Sequence, residues 1–407
     1  MAGLVIAAGC GGGNSSNSGS TSKSSSSGAS ALLGTPNKAT GTPVTIGYVN
    51  DGKSETIDLT PELQAAKAAV QYVNDYLGGL AGHPITLKTC ETKQTPAGAT
   101  DCGTEIVNAK VPVVLNGASG QSGTVYKAIK ASGIPFVQAG SIDQDVILSK
   151  DAIVFQNGLG LILAGPAGLA RDAGVKKAAI LVLDLPAASG PVKAASPLFY
   201  KNANVTADII PVPLGAADMT PQVQAAIANG DGQFNVVGQP GFCTSAIKAI
   251  RTLGFKGPVV VIQPCIDSSS ASATNGGYEG VKMLTSITSD PNDNDLKVYN
   301  AVMDTYAKGA EKGGVASNGY QAVVGFVKAM SGLTGEVTPQ AIVAAFRSMR
   351  ETPLPLGGGI TFKCDGKQVT IAPALCSTKV LEATLDANGQ PTSTKLIDTA
   401  DLFKIGG

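Results

Sequence analysis

From Val44 onward the chain alternates short, nearly continuous apolar runs with longer amphipathic stretches, and this rhythm narrows the architectures open to it more than any other feature. The runs read as strands: VTIGYV from 44, ITLKT from 85, VPVVLNG from 111, PFVQAGS from 135 and AIVFQNG from 152. A second series follows, with AAILVLD from 178, ADIIPVP from 207, FNVVGQP from 234, PVVVIQP from 258 and VKMLTSI from 281. Strands that are apolar throughout are buried on both faces, the condition of parallel sheets joined by right-handed helical crossovers. Among the amphipathic stretches, PELQAAKAAVQYVNDYL puts Leu63, Ala66, Val70, Val73 and Leu77 on one helical face. Thr60 is its expected N-cap, Pro61 suits the first turn and Gly78-Gly79 the stop. These strands are too many for one comfortable sheet, so an α/β fold with two doubly wound parallel-sheet lobes is expected, dividing near residue 157. The tail breaks the rhythm with three successive helices, DLKVYNAVMDTYA, GYQAVVGFVKAM and PQAIVAAFRSM. A β-like stretch follows from Gly359 to Gln390, with a turn through Asp365-Gly366.

Composition removes several function classes. The 407 residues carry 30 Lys+Arg against 30 Asp+Glu, with no basic run, so nothing favours nucleic acid. His83 is the single histidine, and it sits in a Gly-His-Pro turn that suits a structural role. Most His-based metal sites and acid/base triads therefore lack their raw material, and no metal or cofactor is expected. Gly117-Ala118-Ser119-Gly120-Gln121 begins like a nucleophile elbow but ends on Gln121, and GLGLILAG from 158 lacks the third glycine of a dinucleotide fingerprint. Catalysis is not expected.

The first nine residues end in LVIAAG before Cys10, an apolar run too short to span a bilayer but of the length that closes a signal peptide. Ala7-Ala8-Gly9-Cys10 resembles the lipobox of bacterial lipoproteins, with Ala7 where Leu is usual and no Lys or Arg before it. Residues 1–9 are thus expected to be a signal-peptide remnant, Cys10 a lipidation site, and 10–43 a Ser/Gly-rich flexible tether. The other six cysteines fall into sequence-adjacent pairs, Cys90 with Cys102, Cys243 with Cys265 and Cys364 with Cys376. Of the fifteen possible pairings these short loops suggest three local disulfides and an oxidising compartment; zinc is the alternative, without CxxC or HxxxH spacing to support it.

In open α/β sheets ligands sit beyond the carboxyl ends of the strands. The loops there read YVNDG (48–52), NGASGQSG (116–123), QAGSIDQD (138–145), LDLPAASG (183–190), GQPGFC (238–243) and QPCIDSSS (263–270). All are small, polar and Gly-rich. Ser119 and Ser122, with Gly117 and Gly120, offer hydroxyls and N–H groups to an anion; alternatively these residues only cap helices and make turns.

Taken in order, these loops resemble the substrate-binding proteins of ABC importers, specifically the type I periplasmic family that includes the Leu/Ile/Val-binding proteins. The similarity runs from about Val44 to Asp398. It is carried most specifically by VPVVLNGASGQSGTVYKAIKASGIPFVQAGS (111–141) and by GGLAGHPITLKT (78–89). The resemblance implies two lobes that close over a small ligand by bending at three crossovers. Lobe one would be 44–157 plus 286–345, and lobe two 158–285 plus 346–400. It also implies that Ser119 with Ala139, Gly140 and Ser141 holds a ligand carboxylate.

The departures bear on the ligand. Amino-acid binders place acids near the first crossover and in a loop of the second lobe, where this chain has NGLGLIL (157–163) and QPCID (263–267). An unpaired ammonium in a closed cleft is costly, so either Asp267, Asp184 or Asp143 substitutes or the ligand has no ammonium. Ser189, Gln239 and Phe242 are the second-lobe candidates, Phe242 as an apolar wall or as a core residue beside Cys243. Tyr48 either faces the cleft or is an ordinary half-buried strand tyrosine. The expected function is an extracytoplasmic, lipid-anchored, monomeric solute receptor that binds a small carboxylate-bearing molecule and delivers it to an ABC permease and ATPase in the membrane. A ligand-sensing ectodomain of the same fold is the alternative.

Overall fold

A computed structural model describes residues 31–54 and 58–404. The first half supplies β1 (Val44–Asn50), α1 (Thr60–Tyr76), β2 (Ile85–Glu91), α2 (Pro96–Ala109), β3 (Val114–Asn116), α3 (Ser122–Ile129), β4 (Phe136–Gln138), α4 (Gln144–Ile147) and β5 (Ala152–Val154). The five strands form one parallel sheet in the order β2-β1-β3-β4-β5. A π-helical turn, Gly160–Ala164, then leads to α5 (Gly165–Asp172), β6 (Lys177–Leu183), α6 (Pro186–Asn202), β7 (Thr206–Val212), α7 (Thr220–Ala228), β8 (Gln233–Val237), α8 (Pro240–Thr252), β9 (Val259–Ile262) and β10 (Lys282–Thr285). The chain recrosses to α9 (Asn294–Tyr306), α10 (Ala316–Ala329), α11 (Pro339–Ser348) and the short pair β11 (Thr352–Pro353) and β12 (Thr361–Phe362). It ends with β13 (Lys379–Leu385) and β14 (Pro391–Asp398). The second sheet runs β14-β13-β10-β9-β8-β6-β7, parallel from β6 to β10, with β13 antiparallel to β10 and β14 to β13.

All ten apolar runs expected as strands are strands, and both sheets are covered by helices. One core packs α1, α9 and α10 beneath the first sheet, joining Ile46, Ala66, Val73, Tyr299, Tyr320 and Phe326. Another runs from the opposite face of that sheet into the second lobe, from Val49 and Phe136 to Ile180, Phe199 and Phe403.

Several expectations need correction. Leu59, not Thr60, holds the N-cap position of α1 and makes no side-chain cap bond; Asp58 Oδ1 accepts from the Thr60 N–H and hydroxyl instead. Leu77 lies past the helix end and is 36% exposed, while Leu63, Ala66, Val70 and Val73 are buried. Gly78 and Gly79 stop the helix as read, at φ 78° and 70°. The tether expected up to residue 43 is docked from Ala31 onward. Leu33 and Ala39 are buried, Asn37 N–H donates to Asp75 O, and Gly78 N–H donates to Asn37 O. Cys10 and residues 1–30 lie outside the described residues. Of the stretch 346–400 expected in lobe two, only the part from Lys379 enters the second sheet. Residues 374–376 pair with β5, Val154 N–H donating to Ala374 O and Cys376 N–H to Val154 O. The bend at Asp365-Gly366 exists, but the hairpin that forms is β13-β14, closed by Asp386 to Gly389.

The structure pairs Cys90 with Cys102, Cys243 with Cys265 and Cys364 with Cys376, at Cα separations of 5.6, 5.3 and 4.5 Å. No helix of the described residues is long and apolar enough to cross a membrane.

Candidate functional site

The carboxyl ends of both sheets face one cleft, crossed by Gln156–Ile162 and Thr285–Ile287. It encloses about 370 Å³, within the range of small-molecule sites. The first lobe contributes Leu59, Ala118, Ser119, Gly120, Gly140, Ser141 and Ile142, and the start of α10 adds Val315 and Asn318. From the crossovers come Gln156, Gly158, Leu161, Ile162, Thr285, Ser286 and Ile287, and from the second lobe Ile262, Gln263, Pro264 and Leu284. Most of the wall is aliphatic, and among the described residues no ionised side chain lines it. The groove continues on both sides, past Ser119 and Ser141 into a space of about 510 Å³ and past Gln263 and Ile287 into one of about 430 Å³.

Of the sequence-predicted residues, the structure brings Ser119, Gly140 and Ser141 together in the cleft. Ala139 is buried beneath them, its N–H donating to Asn116 O. A Cβ on Gly140 would come within 2.7 Å of Gln156 Oε1, so a larger residue there has to displace that side chain. The remaining candidates lie elsewhere. Tyr48 is wholly buried and donates to Glu62 Oε1 at 2.9 Å. Phe242 packs in the second-lobe core beside the Cys243–Cys265 disulfide. Ser189 is buried in α6, donating to Leu185 O, and Asp184 and Gln239 are exposed. Asp267 is spent on its own loop, accepting from Ser269 N–H, Ser269 Oγ and Ser270 Oγ, bonds that hold its carboxyl below the usual range. Asp143 caps α4 through Asp145 N–H and borders the neighbouring space. None of the three acids named as ammonium partners lines the central cleft.

The residues that sequence reasoning missed stand behind the Gly-x-Ser loop. Glu62, in the first turn of α1 and fully buried, accepts at Oε1 from Tyr48 Oη, Asn50 Nδ2 and Gly117 N–H at 2.9, 3.3 and 3.1 Å. Its Oε2 accepts from Ala118 N–H at 3.0 Å. Desolvation outweighs these bonds and pushes its carboxyl up to about 7. Asp51, 2% exposed, accepts at Oδ1 from Thr92 Oγ1 (2.7 Å) and Ser119 Oγ (2.6 Å), and at Oδ2 from Gly120 N–H (2.9 Å). The loop expected to greet an anion has thus given the N–H groups of 117, 118 and 120 and the Ser119 hydroxyl to the chain's own carboxylates. Ser119 N–H, Ser141 N–H and the Ser141 hydroxyl proton keep no partner among the described residues.

Two crossover features complete the site. Ser286, 2% exposed, lines the cleft with a buried Oγ that has no hydrogen-bond partner among the described residues. Asn157 ties the crossovers together: its Nδ2 donates to Thr399 Oγ1 (3.2 Å), which in turn donates to Thr378 O (2.6 Å). No group of three or more potential metal ligands occurs among the described residues.

The sequence profile of the family described as periplasmic binding protein matches residues 43–398, and the chain belongs to that family. It is a solute-binding protein and not an enzyme, and the family places it outside the cytoplasm. A search of curated sequences finds no match. Among solved structures, the branched-chain amino acid transporter substrate-binding protein LivJ from Streptococcus pneumoniae, in complex with isoleucine, is 16% identical. That alignment covers 88% of this chain and 99% of LivJ, with a TM-score of 0.64. A fatty acid ABC transporter substrate-binding protein from Thermomonospora curvata is 16% identical over 90% of this chain and 94% of its own, with a TM-score of 0.68. An ABC transporter solute-binding protein from R. palustris, in complex with 4-hydroxybenzoate, is 15% identical over 88% and 98%, also at 0.68. At these identities the likeness shows the fold alone.

Proposed function

We propose that this protein is the solute-capturing component of an ABC importer, and that it closes its two lobes over a small, mainly aliphatic solute whose polar end is uncharged. The observation that carries the ligand class is the cleft wall: aliphatic side chains from both lobes, no ionised side chain among the described residues, and an anion loop already engaged by Asp51 and Glu62. A ligand carboxylate would face the remaining donors with two carboxylates directly behind them, and burying it there would be costly. This weighs against the carboxylate-bearing solute expected from the sequence. An amide, alcohol or ester end fits Ser141 and the unpartnered Ser286 hydroxyl, which can both donate and accept.

The π-helical crossover at Gly160–Ala164 and the Asn157–Thr399–Thr378 link support bending at the junction. On this placement the first lobe is 31–157 with 286–376, and the second is 158–285 with 377–404. Cys10 is proposed as the lipid anchor and the Ser/Gly stretch after it as the leash to a permease.

Calorimetry with hexanamide, hexanoate and isoleucine at pH 8 tests the ligand class. Hexanamide is expected to bind more tightly than either of the others. Binding of hexanoate or isoleucine in preference to the amide would overturn it.

A further inference from the structure

The Gly-x-Ser loop of this chain is braced from below by side chains far away in sequence. Glu62 reaches it from α1 across 55 residues, and Asp51 from the end of β1 across 68. Neither carboxylate lines the cleft. Both take donors from the loop that does, and the fit around Glu62 is tight: a Cβ on Gly117 would come within 2.4 Å of its carboxyl carbon. Four donors converge on the two oxygens of Glu62.

We propose that Glu62 is a specificity-determining residue that never touches the solute: by filling the loop's donors from beneath with its own negative charge, it makes the cleft refuse anionic solutes and accept uncharged ones. This rests on the uncharged-solute reading above and names the residue responsible for it. Two effects act together. The N–H groups of Gly117 and Ala118 point at Glu62 and are not offered to the cleft, and the buried charge repels a second carboxylate across a few ångströms of low-dielectric protein. Protonation of Glu62, or its replacement by Gln, removes the charge. It also sets a donor against Ala118 N–H, which must then seek another acceptor.

Among the described residues, the groups facing Glu62 from each packed element are few. β1 contributes Tyr48 and Asn50, and its end Asp51; the loop contributes only N–H groups. From α10, Gly319 lies against the Glu62 main chain, where a Cβ would meet Glu62 O at 2.0 Å, and its neighbours Ser317 and Asn318 do not ionise. Asp58, one turn earlier, is paired with Lys53. A pH response of the loop between 6 and 8 is therefore assigned to Glu62.

Calorimetric titration of hexanamide and hexanoate into wild type and Glu62→Gln, at pH 8 and pH 6, tests this. The readout is the ratio of the two dissociation constants, which general loosening of the fold would not move, since hexanoate stays ionised at both pH values. In wild type the preference for the amide should be strong at pH 8 and should shrink on the order of tenfold at pH 6. In Glu62→Gln it should be weak and the same at both. A ratio unchanged by Glu62→Gln, with wild type still favouring the amide, overturns the role of Glu62 alone. If wild type at pH 8 prefers hexanoate, or binds neither molecule, the uncharged-solute reading falls and this inference falls with it.

Discussion

Replacing Glu62 with Gln should change how stability depends on pH, and the size of the change follows from its surroundings. The carboxyl is fully buried, and burial moves its proton affinity from the ordinary 4.5 up to about 7 against the pull of four hydrogen bonds. Between those two values the folded protein holds a proton that the unfolded chain has released. Linkage then requires stability to fall as pH rises, by about 1.4 kcal/mol per pH unit. The stabilising contribution is complete below pH 4.5, drains away as pH passes through 7 and is gone above it. Integrated over that window, Glu62 makes the protein about 3 kcal/mol less stable at pH 8 than at pH 4.5. Asp231, pushed up to about 6 by burial and by Asp208, adds a slope of the same sign in wild type and variant alike, so the difference between the two proteins isolates Glu62. Urea unfolding at pH 5, 6, 7 and 8 should show wild type losing about 2.5 kcal/mol more than Glu62→Gln, with the two curves closest at pH 5 and separating as pH rises. Parallel curves would refute the reasoning, because they would mean that Glu62 ionises in the fold as it does in the unfolded chain.

Three further substitutions probe the scaffold and the cleft. Gly319→Ala should cost about 3 kcal/mol in urea unfolding, since its Cβ would sit 2.0 Å from Glu62 O at the α1–α10 contact, whereas Gly190→Ala, inside α6 with nothing within 4 Å, should stabilise by about 0.5–1 kcal/mol. Replacing Cys90 and Cys102 together by Ala opens a loop of sequence separation 12 and should cost about 3 kcal/mol, read from the same urea midpoints. Ser286→Ala should leave the unliganded protein as stable or slightly more so, because its buried hydroxyl has no partner to lose, yet should weaken hexanamide binding about tenfold in calorimetry.

The sheets were legible because of how they are buried. Strands such as AILVL in β6 carry no polar face, and only a parallel sheet covered on both sides makes use of such a run. β14 escaped detection for the converse reason: PTSTKLID is an edge strand whose residues are nearly all exposed, and its polar composition reads as loop. The docking of residues 31–43 escaped too, since Leu33 and Ala39 are isolated apolar residues in a polar stretch, and only the finished surface around Asp75 and Gly82 gives them a place to bury.

The site divides along a different line. Ser119, Gly140 and Ser141 could be found because small residues just past strand ends are where backbone approaches a ligand, and that rule is local. Tyr48 and Phe242 could be placed either way, because an aromatic at a strand or helix end packs inward or faces a cleft according to neighbours that the sequence does not name. Glu62 shows where local reasoning stops. In its own helix it is an ordinary first-turn acid favoured by the helix dipole, and nothing nearby hints that its acceptors are spent on a loop 55 residues away. A Gly-x-Ser loop tells a reader that donors are present, but not whether they are free. If Glu62 sets the charge that this cleft accepts, as proposed, substituting only the lining would leave that preference in place.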